Sequence, residues 1–125
     1  MTAAAFRRIA LGLRDAVESA HMGHPDFRVN NRIFATLSAD HQQGMVKLTP
    51  AQQEEYLRAH PDVFHPASGA WGRQGCTMVR LSSADADIVG EAMTLAWQSA
   101  AAQPEPRRRK AARAKITRPP RRPVR

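Results

Sequence analysis

The chain has 125 residues, 42% apolar and 24% charged, which is ordinary globular usage with room for one domain. Its net charge of +8 is less ordinary. No run of about 18 apolar residues exists to span a membrane, and a single cysteine, Cys76, excludes an internal disulfide framework and suits a reducing, cytoplasmic setting.

In chain order, Phe6, Ile9, Ala10 and Leu13 recur at helical spacing, predicting a first helix over 3–13 with Thr2 as N-cap. The stretch is acid-poor and amphipathic, like a transit peptide, but is read here as part of the fold. Two strands, 26–29 and 32–37, flank Asn30-Asn31, since asparagine tolerates the positive φ of a two-residue hairpin. A further strand covers 45–48. Thr49-Pro50-Ala51-Gln52 is a capping box with proline at the first helical position, so a second helix runs to about Ala59, ahead of Pro61. A Gly/Pro-rich loop, 61–75, leads into a strand over 76–81. Ser82-Ser83-Ala84-Asp85 then caps a last helix that ends at Gln103-Pro104. Helix, strands, helix, strand, helix predicts an α+β two-layer domain with an antiparallel sheet.

The charge divides sharply at Gln103. Residues 1–102 carry nine Lys/Arg and ten Asp/Glu, whereas 103–125 carry ten Lys/Arg and only Glu105. Five of the nine prolines also fall in those last 23 residues. Such a segment buries too little to offset its ordering entropy, so the expectation is a folded domain over 1–102 and a disordered basic tail over 103–125. A cationic ribbon attracts polyanions through counterion release, whatever the base sequence. Arg107, Arg108, Arg109, Lys110, Arg113 and Lys115 are its candidate phosphate contacts. It lacks an apolar face for a membrane.

Strand alternation assigns faces. If Phe27/Val29, Ile33/Ala35/Leu37, Val46/Leu48 and Val79/Leu81 face the helices, then Arg28, Arg32, Phe34, Thr36, Lys47 and Arg80 face away. Four cations around an aromatic ring could hold phosphates while the ring stacks on a base; equally, they could be a solvated sheet face. The segment Gly69-Ala70-Trp71-Gly72-Arg73-Gln74-Gly75 offers a ring beside a charged fork, either as a recognition wing or pocket wall, or with Trp71 plugging the core.

Catalytic patterns are missing. His21 and His24 with Asp26 form a short cluster flanked by Gly23 and Pro25, which argues for a strand end or turn, with Asp26 capping the turn, rather than a metal site. A pocket near His21, His24, Asp26 and Trp71 is the alternative use of these groups. Cys76 sits in no nucleophile motif and reads as a small buried hydrophobe. No phosphate-cradling glycine loop occurs. No catalytic residue, metal or cofactor is therefore expected.

Segments His21–Val29, Ile33–Leu37, Met45–Thr49, Gln52-Gln53 and Gly69–Thr77 together resemble the MmcQ/YjbR family of small bacterial proteins, over roughly residues 6–97. The resemblance implies a YjbR-like α+β domain, similar in topology to CyaY-like folds and secretion chaperones. It also implies DNA binding through paired "double wing" hairpins, and hence a nucleoid association. The expected function is thus a non-enzymatic DNA-binding protein. A family member associated by name with a mitomycin gene cluster keeps a small-molecule-binding, resistance-type role beside it, and a chaperone-like adaptor is a third reading. Oligomeric state is left open.

Overall fold

A computed structural model describes residues 1–106. Residues 107–125 of the basic tail, with Arg107, Arg108, Arg109, Lys110, Arg113 and Lys115, lie outside the described residues, and so does the expectation of their disorder. Residues 103–106, expected to belong to that tail, are described and are held to the domain through the Gln103 and Pro104 carbonyls.

Six strands form one antiparallel sheet in the order β1-β2-β3-β4-β6-β5. They are β1 (Val17–His21), β2 (His24–Val29), β3 (Arg32–Leu37), β4 (Gln43–Lys47), β5 (Phe64–Pro66) and β6 (Cys76–Arg80). Four helices accompany them: α1 (Ala3–Leu11), α2 (Pro50–Ala59), α3 (Gly69–Arg73) and α4 (Ala86–Ala101). This is the α+β architecture expected, with three elements that the pattern did not reveal: β1, β5 and α3.

The local chemistry works as read in several places. Thr2 Oγ1 accepts the Ala5 amide and caps α1, which ends at Leu11 rather than Leu13. Thr49 Oγ1 accepts the Gln52 amide at 3.1 Å while Gln52 Oε1 accepts the Thr49 amide at 3.0 Å, a complete capping box on α2. Asn30 and Asn31 sit at φ of 52° and 58°, the double positive turn joining β2 to β3. Asp85 caps α4, but Leu81–Ser83 form a short 3-10 turn instead of extending β6.

One face of the sheet is covered. Val89, Ala92, Met93, Ala96 and Ala100 of α4 and Phe6 and Ala10 of α1 pack on Phe27, Val29, Ala35, Leu37, Val46 and Val79. Hydrophobic burial of this kind is the dominant favourable term in folding. The other face is left open and builds the site described next.

Face assignment by alternation fails in β3. Phe27 pairs with Ala35 but Arg28 pairs with Ile33, so Phe34 is a surplus residue, a β-bulge opposite the Phe27/Arg28 step. Phe34 consequently turns inward beside Ala35 and is 0% exposed. Ile33 is carried with Arg28 to the open face. Arg32 pairs with Val29 and so falls on the side of α4. The expected outward Phe34, inward Ile33 and outward Arg32 are all corrected, because a period of two holds only while the ladder has no insertion.

Candidate functional site

On the open face, register places Val17, Ser19 and His21 of β1 beside Arg28, Asp26 and His24 of β2, then Ile33 and Thr36 of β3, Met45 and Lys47 of β4, and Cys76 of β6. Two raised structures bound this strip and turn it into a groove. One is the tip of the β1–β2 hairpin, where Met22 and Gly23 take φ of 53° and 81° and Met22 stands 84% exposed. The other is α3, whose Trp71 is 66% exposed.

The groove holds three adjoining cavities that share Ile33. A hollow of about 390 Å³ under the hairpin tip is lined by His21, Met22, His24, Asp26, Ile33 and Thr36. A second of about 360 Å³ lies against α3, between Trp71, Lys47, Met45, Thr36 and Cys76. The largest, about 700 Å³, runs from Lys47 and Trp71 past Arg28 and round the strand ends to Arg32, Ala100 of α4 and Pro106. Volumes of this order suit small organic ligands, as does an apolar floor with a few polar groups.

The expected pocket residues are therefore brought together. His21, His24 and Asp26 line one hollow, and Trp71 walls the next, ruling out a core-plug role for its ring. Asp26 does not cap the turn as expected. It is buried in the floor and both carboxylate oxygens accept from Arg28, Oδ1 from Nε at 2.8 Å and Oδ2 from Nη2 at 3.1 Å. This hydrogen bonding raises the Arg28 pKa, a shift that partial burial opposes.

The expected nucleic-acid face is largely dispersed. Phe34 is in the core and cannot stack on a base. Arg28 is paired with Asp26. Arg32 Nε donates to the Pro104 carbonyl at 3.1 Å. Arg80 lies four residues along β6 from the groove, about 13 Å at strand rise, and donates to the Pro61 and Asp62 carbonyls. Lys47, Trp71 and Arg73 stay exposed. Residues 1–106 hold nine Lys/Arg against eleven Asp/Glu, so the described body is not itself a cation.

Alternation points Met45 outward with Lys47, so that part of the floor was readable; Ile33 was not, because of the bulge. Cys76 is buried, as expected, and burial raises its thiol pKa. No group of three or more His, Cys, Asp or Glu able to hold a metal occurs among the described residues. None of the described helices is long and apolar enough to cross a membrane.

The wall of the groove depends on a tight junction. Gln53 Nε2 donates to the Gly72 and Cys76 carbonyls, both at 3.0 Å, joining α2 to α3 and β6. The Gly75 carbonyl accepts the Leu48 amide at 3.1 Å and the Thr77 hydroxyl at 2.8 Å. These contacts hold the short α3, and with it Trp71, above the sheet. At the other end of the groove, Asn30 Nδ2 donates to the Ala101 and Gln103 carbonyls at 3.1 and 3.0 Å. Together with Arg32 it leads the chain after α4 past the groove to Pro106.

A family model described as YjbR matches residues 11–99. The fold is similar to the crystal structure of a Deinococcus radiodurans protein, DR2400, described by the domain DUF419. That likeness has a TM-score of 0.69 at 20% identity, over 82% of this chain and 80% of the other. No curated protein matches the sequence significantly.

Proposed function

Because the chain belongs to the YjbR family, whose membership fixes the fold but not the activity, we propose from the site itself that this is a binding protein whose open-face groove receives a planar small molecule. The observation that supports this reading best is the exposed Trp71 facing an apolar floor of Ile33, Met45 and Cys76, with the Lys47 ammonium alongside. A large ring left in water beside an apolar hollow gains area burial and stacking when a flat ligand covers it.

The folded protein should bind the dye anilinonaphthalene sulfonate, which is flat and anionic, at one saturable site. Trp71→Ala should weaken that binding by roughly 3- to 10-fold, since an aromatic pair contributes about 0.5–1.5 kcal/mol beyond area. Fluorescence titration reads both. Non-saturable binding, or equal affinity of the variant, would sink the proposal.

Nucleic-acid binding is the second reading. It is supported by the route of the chain, which passes the groove at Pro106 immediately before ten Lys/Arg in 19 residues. Here the tail, rather than the dispersed sheet cations, would supply the phosphate contacts, with Lys47 and Arg73 as the remaining contacts from the domain. If about five tail cations meet duplex DNA, log K against log[salt] should slope near −4.5 in an anisotropy titration of the full chain. Replacing Arg107, Arg108, Arg109 and Lys110 together by Gln should flatten the slope. A slope near zero in the parent chain would remove this reading.

A further inference from the structure

The groove floor contains a cation whose donors are fixed in place and only partly used. A guanidinium carries five N–H groups. Arg28 spends its Nε–H and one Nη2–H on Asp26. Among the described residues, neither Nη1 hydrogen nor the second Nη2 hydrogen has an acceptor. The side chain is 27% exposed and lines the same cavity as Lys47, Trp71 and His21. Asp26, at 1%, is the buried partner that holds it.

We infer that the ligand of this groove carries an oxyanion, a carboxylate or a phosphate, which Arg28 binds through its unused N–H groups while Asp26 acts as a positioning residue. The inference rests on the groove reading and names the chemistry of what binds there. The reasoning is geometric. A free arginine must give up rotamer entropy when it closes on an anion, whereas one already pinned by a two-point contact has given it up on folding. The planar fork matches two oxygens of a carboxylate or phosphate side by side. Asp26 cancels the charge of Arg28, so the attraction at longer range comes from Lys47, and the directional hydrogen bonds come from Arg28. A ligand ring stacked on Trp71 would place an attached anionic group toward the end of the groove where Arg28 and Lys47 lie. His21 and His24 are the other titratable groups at the groove.

The test is a titration of the full chain, followed by NMR, with three probes of one shape: naphthoate, naphthyl phosphate and neutral naphthalenemethanol. The anionic probes should bind roughly 10- to 100-fold tighter than the alcohol, the range expected for hydrogen bonds to a charged group. The tighter of the two identifies the oxyanion. Arg28→Gln should erase that advantage, with circular dichroism and the dispersed amide spectrum showing that the variant is still folded. Arg28→Lys should keep only part of it, because charge remains but the fork does not. Asp26→Asn loosens the fork and leaves the Arg28 charge uncancelled, so its readout is the free protein: the Arg28 Nε–Hε resonance should shift, and an unshifted resonance would remove the positioning role of Asp26. Equal affinity for charged and neutral probes, or an advantage that survives Arg28→Gln, overturns the inference and leaves the groove reading standing. Failure of all three probes to bind overturns both.

Discussion

Phe34→Ala should lower the unfolding free energy by about 3–5 kcal/mol, the cost usual for truncating a fully enclosed phenylalanine. That is a large share of the roughly 5–15 kcal/mol by which such domains are stable. The ring is completely shielded from water and belongs to the cluster that α1 and α4 close over. Its removal leaves a void that neighbours on a bulged strand can fill only in part. Urea unfolding monitored by circular dichroism measures the change. Thr36→Ala, two positions along on the open face, should cost less than about 1 kcal/mol. The pair of variants separates the two possible placements of Phe34. If Phe34→Ala were nearly neutral in stability, the inward placement would be wrong and the aromatic would again be available to a ligand.

Gly75→Ala should be as damaging, at about 4–5 kcal/mol, the range reached when a change meets a named structural obstacle. Two causes combine. Gly75 has a φ of +109°, a conformation that residues with a Cβ rarely adopt. An added Cβ would also lie 1.9 Å from the Leu48 carbonyl oxygen, a backbone atom that cannot swing aside. Because the Gly75 carbonyl is itself bonded to Leu48 and Thr77, relief requires the end of β4 to part from the start of β6. Trp71 would move with them, so dye binding should fall together with stability. Gly23→Ala is the matched control: its φ is +81° but open space surrounds it. Backbone strain alone should cost about 1–2 kcal/mol there. Thermal unfolding of both variants, read side by side, would refute the crowding argument if they lost the same amount.

How much of this could be read beforehand follows from where each instruction resides. The Asn30-Asn31 turn and the Thr49/Gln52 capping box are local, written in residues whose side chains or φ preferences act on their own backbone, and both were legible. β1 was not: of Val17-Glu18-Ser19-Ala20-His21 only Val17 is a branched apolar residue, and the strand exists because β2 offers it a ladder. α3 was hidden by its two glycines and is stabilised from a distance by Gln53. Grouping His21, His24 and Asp26 needed only short spacing along one hairpin. Seeing that Asp26 would bind Arg28, two residues on and on the same side, was within reach of strand geometry. Trp71 could be named but not placed, since a loop and a short helix over the sheet share the same residues.

The extra residue in β3 reaches beyond packing. With a regular strand, the phenyl ring of Phe34 would occupy the hollow that Ile33 now lines, and the isoleucine would be hidden beneath α4. Deleting Arg32, which removes the bulge but keeps Ile33 and Phe34, would thus yield a chain with its cleft plugged by its own side chain. The open cleft is, on this view, a by-product of imperfect pairing, and a designer who tidied the sheet would close it.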